Sequence, residues 1–379
     1  MVVGRSSSPD ERDIRRRIAT GLTDPDDCRT LAGLLYSASQ REVIKLFEGA
    51  FDLDLPEVQG AIVSALGAWS LSEISERQSE ALGRAHASLT SLPQDSDDPM
   101  VLFSRGIAHL VNARCASSSD SGVATEATRL ALDAFEQVRL RSPEPWMLDL
   151  GYEKVSALFL SMGQIEEAMQ YGERRLELPL TELERGLNLV EYAWWLSLIP
   201  DHEVRTLELA QAAIHILPEN ADNPQVHLYR GLARTIVARR IPSSDIEIEA
   251  KFAREGIEDF EKALAHSPST WQAQIAYYQG ALLHLDLDES EEVIRSCKRC
   301  LQLDLAPVDR LRCLILLGEA LRDTGDLDEA GRFLKEALGL IDADTSLEPK
   351  VYNELGLVEL DRQHLSEARD HFHNCAGSA

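Results

Sequence analysis

The chain has 379 residues, of which 44% are hydrophobic and 6% aromatic, and its 64 acidic against 38 basic residues give a formal net charge of -26. Such a charge repels phosphate backbones and anionic lipid surfaces, so we expect neither nucleic acid nor a membrane among the partners. No apolar run approaches the roughly 20 residues that span a bilayer, and six cysteines over this length do not form a disulfide framework, so the sequence predicts a reduced, cytoplasmic protein.

The first 98 residues show helical patterns but no repeated signature. We expect residues 1–20 to be disordered or partly helical, because this segment is polar and terminal. Residues 21–98 are predicted to form a helical capping region. Its apolar helical patterns run near 27–36, 40–51, 56–70 and 72–91. The basic cluster at Arg12 and residues 15–17 is interleaved with carboxylates, so we expect it to pair within the chain.

The middle of the chain contains an internal duplication. Residues 101–180 and 226–305 align with each other at a constant shift of 125, without a gap. Matched groups include Arg105-Gly106 with Arg230-Gly231, Phe135-Glu136 with Phe260-Glu261, and Trp146 with Trp271. Self-similarity at a fixed period is typical of repeat architectures. We therefore predict that residues 99–218 and 224–342 are two copies of one block.

A loop-to-helix signature occurs three times. Its glycine-type position is Gly163, Gly325 and Gln363, and its small residue is Ala168, Ala330 and Ala368. The glycine can supply the left-handed backbone that ends one helix, and glutamine can take its place only at a steric cost. Acidic residues then suit the N-terminal end of the next helix, and the alanine is small where two helices cross.

Two further spacings complete the pattern. Gly318 and Gly356 each precede their alanine by twelve residues, and Phe372 follows Ala368 by four. This resembles the tetratricopeptide repeat, with Leu-Gly on the first helix, Ala and then an aromatic residue on the second, and Pro at the exit. The resemblance implies an all-α, right-handed tetratricopeptide-like α-α superhelix with a helical N-terminal cap. Its seven or so helix pairs within residues 99–376 would lie near 99–143, 147–180, 187–218, 224–268, 272–305, 309–342 and 347–376.

The first and fourth pairs carry an insertion of 13 residues. The interval from the first-helix glycine to the small residue of the second helix is 25 residues instead of 12. It runs from Gly106 to Ala131 and from Gly231 to Gly256. Asp120 and Asp245 could cap a second helix that starts early, and residues 246–265 read as one long helix. We expect both pairs to protrude, and either a neutral inherited insertion or a docking ridge would explain them.

No cluster in the sequence predicts catalysis or a bound ion. Cys297 and Cys300 form a Cys-x-x-Cys sequence, but no second pair stands at zinc spacing, and both fall at core positions of the repeat. His371 and Cys375 can share a helix face, yet two ligands do not make a metal site. Phosphate-binding loops and nucleophile-elbow motifs are absent from the sequence. We therefore expect no catalytic residue, no cofactor, no metal and no enzyme activity.

In tetratricopeptide proteins the first helices line a concave wall, and the resemblance implies the same wall here. The candidate peptide-binding residues on it are Glu153, Glu191, Trp195, Leu228, Tyr278, Glu319, Asp323 and Asn353. A matching partner would be a protein or peptide segment with apolar anchors and Lys or Arg. Some family members clamp a terminal carboxylate on this wall. The corresponding positions are Phe103, Ile107, Glu153 and Asn188, so we do not expect that clamp.

These observations predict a non-catalytic scaffold or adaptor that binds a basic and apolar segment. Two alternatives stay open: a regulatory sensor that binds a peptide effector, and an accessory subunit of an enzyme complex. The last repeat closes just before residue 379, whereas helical solenoids need a polar terminal cap. We therefore expect Leu365 and Phe372 to lack cover, and the C-terminal repeat to be buried by self-association or by a partner.

Overall fold

The computed structural model describes residues 44, 47–48, 51, 55–116, 121–141, 145–241, 246–266 and 268–377. All regular structure in these ranges is helical, with sixteen α-helices and 3-10 turns at Ser75–Arg77, Ile341–Ala343 and Thr345–Leu347. The predicted all-α fold is therefore confirmed. The N-terminal segment 1–20 and the candidate capping residues Asp120 and Asp245 lie outside the described residues.

The chain divides into two compact units, and the first runs from Met1 to Arg185. Its helices pack as neighbours in sequence: α1 (Glu57–Ser72) with α2 (Gln78–Ser91), α3 (Pro99–Cys115) with α4 (Ser121–Arg141), and α5 (Pro145–Ser161) with α6 (Ile165–Leu176). Large, fully buried side chains of this unit include Trp69, Phe103 and Phe135. Short connections make each pair antiparallel, so that both helices bury their apolar faces against each other.

The second unit runs from Gly186 to Ala379. Helix α7 (Glu182–Leu196) starts just before this boundary, and α8 (Glu203–Ile216) follows it. The next pairs are α9 (Pro224–Arg240) with α10 (Ile246–Ala265), α11 (Thr270–Asp286) with α12 (Ser290–Cys300), α13 (Pro307–Asp323) with α14 (Leu327–Leu338), and α15 (Glu348–Asp361) with α16 (Leu365–Gly377). Helix α10 confirms the long helix predicted for residues 246–265, whereas the division into N-terminal segment, cap and repeat region stays a prediction.

The Leu-Gly positions explain how closely the two helices of a pair approach. A Cβ atom on Gly318 would lie 2.5 Å from Leu334 Cγ, and one on Gly356 would lie 2.6 Å from Phe372 Cε1. Both distances are well inside van der Waals contact, so a side chain at either glycine would force the helices apart. The sequence pattern of Leu-Gly followed by a large apolar residue is therefore the pattern of a close helix crossing.

The turns inside the pairs use left-handed backbone. Gly163, Gly325 and Gln363 have φ angles of 73, 84 and 65°, which confirms the conformation expected from the signature. Asp201 and Asp288 adopt the same conformation at two other turns, with φ angles of 66 and 59°. Aspartate tolerates this region because its short polar side chain can bond locally. A signature that depends on glycine or its replacement at the turn does not detect these two turns.

Candidate functional site

The first helices of successive pairs in unit 2 lie side by side. Helix α9 contacts α11, α11 contacts α13, and α13 contacts α15. The Tyr229 hydroxyl on α9 also donates a hydrogen bond of 2.7 Å to Glu191 on α7. We call the outward residues of these five helices the first-helix face. Its predicted members are the half-buried Glu191, Trp195, Tyr278, Glu319 and Asn353 and the exposed Asp323.

Two predicted site residues do not belong to this face. Leu228 is 0% exposed, so it packs inside unit 2 and cannot contact a partner directly. Leu232, one turn later on the same face of α9, is half-buried, so the burial of Leu228 depends on its place along the helix. Glu153 lies on α5 in unit 1, where Lys154 Nζ approaches its carboxylate to 3.0 Å, and it stays a prediction for that unit alone.

The α7 end of the face is aromatic and acidic. The rings of Tyr192 and Trp195 meet edge-on with centroids 5.2 Å apart, which holds the indole in one orientation. Trp194 and Trp195 are both half-buried. The rigid indole of Trp195, beside the carboxylate of Glu191, can therefore offer apolar area without a large loss of side-chain entropy.

Tyr278 stands at the middle of the face on α11. Burial raises the pKa of Tyr278 to about 12, while the charge of Arg312 acts in the opposite direction. The phenol therefore stays protonated throughout the physiological range. It can donate or accept one hydrogen bond while its ring covers apolar atoms of a ligand.

The α13–α15 end of the face carries a network of charges. Lys350 Nζ lies 3.5 Å from Glu319 Oε2. Arg322 is shared among three carboxylates, at 3.0 Å from Asp323, 3.6 Å from Glu354 and 3.7 Å from Asp361. The structure thus brings the predicted residues Glu319 and Asp323 into one network, together with a glutamate that the sequence reasoning missed.

That glutamate, Glu354, is buried on α15. Asn353 Nδ2 lies 3.3 Å from Glu354 Oε1 and donates a hydrogen bond to it. Burial, followed by the nearby charge of Glu319, raises the pKa of Glu354, and Arg322 only partly opposes this. A sequence signal did exist. Glu354 precedes the first-helix glycine, Gly356, by two residues. The preceding helix pair has the apolar Leu316 at the same distance before Gly318, so a glutamate there is a charged residue at a core position.

The thiols of the Cys-x-x-Cys sequence are buried, as the repeat register predicts. Cys297 and Cys300 lie in the core of unit 2 beside Cys313, and the Cys313 thiol lies 3.5 Å from the Cys297 carbonyl oxygen. The hydrogen bond with Cys313 and burial both raise the pKa of Cys300 far above its ordinary value. A protonated, buried thiol is a poor nucleophile, so these cysteines serve as small core residues.

Glu359, His364 and Glu367 are the group of three potential metal ligands that converge among the described residues. His364 Nδ1 lies 2.9 Å from Glu359, and Arg362 Nη1 lies 2.7 Å from the other oxygen of the same carboxylate. Both oxygens of Glu359 are therefore engaged in joining α15 to the turn before α16. The expectation of no metal stays a prediction.

The C-terminal helix pair is only partly covered, as expected. Leu365 is 68% exposed, and Leu360 is also exposed. Phe372 differs from the expectation, because its ring packs against Gly356 and is half-buried. Self-association through this end stays a prediction, and a strictly monomeric mass by light scattering would argue against it.

In the part of the chain that the structure describes, no helix combines the length and apolar character required to cross a membrane.

Comparisons with known proteins agree with the repeat pattern. The family model described as "Tetratricopeptide repeat" matches residues 311–344, which contain α13 and α14. No curated protein matches the chain in sequence. Human IFIT1, solved as a dimer with PPP-AAAA, is 13% identical over 98% of this chain and 95% of its own, with a TM-score of 0.49.

A second solved structure is the Cut9–Hcn1 hetero-tetramer of the APC/C. It is 13% identical over 97% of this chain and 69% of its own, with a TM-score of 0.46. At these scores neither likeness bears on function. The family match and the helix pairs confirm the resemblance drawn from the sequence: residues 311–344 match the tetratricopeptide repeat and lie within an all-α chain of paired helices.

Proposed function

We propose that unit 2 is a non-catalytic interaction module that binds a protein or peptide segment with basic and apolar side chains along the first-helix face. One observation carries this proposal. Glutamates that are half-buried or buried lie at both ends of the face, at Glu191 on α7 and at Glu319 and Glu354 on α13 and α15, and half-buried aromatic side chains lie at Trp195 on α7 and Tyr278 on α11. Aromatic residues in partly desolvated positions are the usual anchors of protein interfaces.

The charge of the chain supports a basic partner. A formal charge of -26 attracts positively charged segments over a distance and speeds their encounter. Carboxylates that are half removed from water interact with a cation more strongly than fully exposed ones, because the local dielectric is lower. The exclusion of nucleic acid, of membranes and of enzyme activity, and the cytoplasmic location, remain predictions from composition and motifs.

Selection of binders from a displayed random-peptide library, followed by affinity measurement on synthetic copies, tests the proposal. We expect the selected peptides to combine Lys or Arg with apolar residues. Their affinity should fall about tenfold or more for the Glu191→Lys, Glu319→Lys double variant, since two attractive charges become repulsive.

A matched control separates the loss of binding at the first-helix face from the effect of the change in net charge. The Glu258→Lys, Glu291→Lys double variant makes the same charge change at exposed positions on the second helices α10 and α12. It should retain most of the affinity. Equal affinity of both double variants for every selected peptide, or a library that yields no binder, would contradict the proposed function.

A further inference from the structure

A cleft beside the long helix α10 is lined mainly by apolar side chains. It has a volume of about 600 Å³ and lies between α8 and α10 in unit 2. Ile214 and Ile216 of α8 and Phe252 of α10 line it, and all three are half-buried. Leu217 and Pro218 of the connection to α9 complete the apolar lining. The volume falls within the range of about 300–1,000 Å³ that is usual for binding pockets.

Helix α10 reaches this cleft because of the insertion in its helix pair. It begins at Ile246, ten residues before Gly256, whereas α14 begins three residues before Ala330. Phe252 therefore lies in a part of the second helix that the α13–α14 pair lacks. Ile248, one turn earlier on the same face of α10, is 45% exposed and extends the apolar surface along the helix. The cleft thus favours the docking ridge over a neutral inherited insertion.

The first copy of the duplicated block lacks this apolar lining, although its helices have the same bounds. Helices α2 and α3, shifted by 125 residues, coincide with α8 and α9 at both ends. The Leu-Pro sequence between them is also kept, at residues 92–93 and 217–218. Three lining positions differ between the copies: Ser91 for Ile216, Gln94 for Glu219 and Ala127 for Phe252. The helices therefore form without the side chains that line the cleft in the second copy.

Glu219 supplies a negative charge at the edge of the cleft. Its side chain is 73% exposed, and its Oε1 atom lies 3.2 Å from Nη2 of the buried Arg230 and 4.0 Å from Nη2 of Arg234. The two guanidinium groups hold the carboxylate beside the apolar lining, while its exposure leaves it accessible to a further cation. Together with the formal charge of -26, this geometry favours a basic partner and disfavours a second copy of the chain.

We propose that this cleft is a second docking site, which binds a protein segment that carries a large apolar side chain beside a Lys or Arg. The apolar side chain packs against Ile216 and Phe252, and the basic side chain pairs with Glu219. Gln211 and His215 of the lining are exposed, so the cleft is open to solvent and suits the anchor residues of a longer segment better than an enclosed small molecule. The cleft lies on second helices, outside the first-helix face, so this inference does not depend on the proposed function.

Selection of displayed random peptides tests the cleft. Peptides are selected on wild type and depleted on the Ile216→Ser, Glu219→Gln, Phe252→Ala triple variant, which carries the residues of the first copy. We expect the remaining peptides to combine a large apolar residue with Lys or Arg. Synthetic copies should bind the triple variant about tenfold or more weakly, because anchor residues carry most of the binding energy. Replacement of the basic residue by Gln should weaken binding to wild type but not to the Glu219→Gln variant.

Two further measurements separate the cleft from other effects. The Val204→Ala, Glu258→Gln double variant removes an exposed apolar side chain and an exposed charge outside the cleft, and it should retain the wild-type affinity. The δ1-methyl resonance of Ile214, assigned by its loss in the Ile214→Val variant, should shift when a selected peptide is added to wild type. This shift locates the bound peptide even if the triple variant fails to fold.

The inference is overturned if no peptide survives the depletion, if the surviving peptides lack a basic residue, or if they leave the Ile214 resonance unchanged. Self-association of wild type that the triple variant abolishes would assign the cleft to a second copy and would also overturn it. Peptides of the cleft should keep most of their affinity for the Glu191→Lys, Glu319→Lys variant. If every selected peptide requires Glu191 or Glu319 and none distinguishes the triple variant, the first-helix face stands and the cleft fails.

Discussion

Helices α3 and α4 in unit 1 correspond to α9 and α10 in unit 2 at the duplication shift, and the two pairs can be compared residue by residue. The closest contact is the same in both. A Cβ atom on Gly106 would lie 2.6 Å from Phe135 Cε1, and one on Gly231 would lie 2.5 Å from Phe260 Cε1. The distance between the two helices is thus determined by a glycine beneath a phenyl ring in each copy.

The interiors beside this contact differ. In the second copy Asp259 is fully buried, accepts a hydrogen bond from Arg234, and lies 3.4 Å from Nε of the equally buried Arg230. Arg230 also donates to the carbonyl oxygen of Leu217. Its outer nitrogen reaches the exposed Glu219 at 3.2 Å.

In the first copy Ala134 takes the place of Asp259, and His109 takes that of Arg234. Of the two arginines, only Arg230 has an arginine as its counterpart, Arg105, which donates a hydrogen bond of 2.7 Å to the Gln94 carbonyl oxygen. One backbone therefore accommodates either a largely apolar interior or an ionic one. A buried ion pair is not required for the helix pair to form, although it is costly to break once present.

The largest expected effect is in the ionic copy. Asp259→Ala should lower the free energy of unfolding by about 3–5 kcal/mol, because Arg230 and Arg234 lose their shared buried counter-ion. Urea unfolding measures the change. As a control, Glu136→Ala removes an exposed partner of Arg139 in the first copy and should change stability little. Equal effects of the two variants would show that the ion pairs of Asp259 with Arg230 and Arg234 are effectively solvated.

The glycine contact should be equally important in both copies. Gly106→Ala and Gly231→Ala should each destabilise by about 1–3 kcal/mol, because the new methyl group overlaps a buried phenyl ring. Gly83→Ala in α2 meets no atom within 4 Å and should stabilise the protein by about 0.4–1 kcal/mol. Clearly unequal losses for Gly106→Ala and Gly231→Ala would refute the shared role.

The smallest expected effect is a pH dependence of the first copy. Burial and then the charge of Arg105 lower the pKa of His109 from 6.5 to about 4. The folded state therefore binds a proton less readily than the unfolded state. The contribution of His109 is fully present above pH 6.5 and is lost as the pH falls toward about 4.

Thermal unfolding across this pH range tests the histidine. His109→Gln should lose less stability on acidification than wild type does, because it cannot take up the proton. The second copy has Arg234 in place of this histidine. An unchanged acid dependence in His109→Gln would assign the effect to other groups.

Local patterns predicted the turns and the helices well. The left-handed conformations of Gly163, Gly325 and Gln363 follow from the requirement that a helix end and reverse within a few residues. The long helix α10 follows from uninterrupted apolar periodicity after Asp245. Both features depend on interactions over three or four residues, which are visible in a single sequence.

The candidate site was predicted less completely. Glu191 and Glu319 lie on first helices, as the resemblance implies, whereas Leu228 is buried and the sequence did not single out Glu354. The resemblance to the family fixes which helix a residue lies on, whereas its burial depends on the side chains of the neighbouring helices. Leu228 and Leu232 share one face of α9, yet only Leu228 is fully covered.

The sequence by itself predicted that this protein is all-α, that its helices pair, and that residues 101–180 and 226–305 align at a constant shift. These properties arise from backbone conformation and local periodicity, which each segment carries with it. The tertiary structure decided which buried carboxylates lie beside which charges. Asp259 lies beside Arg234 of the neighbouring helix, and Glu354 lies near Glu319 and Arg322 of α13. Desolvation and charge interactions depend on distances between segments, and only the packed helices set those distances.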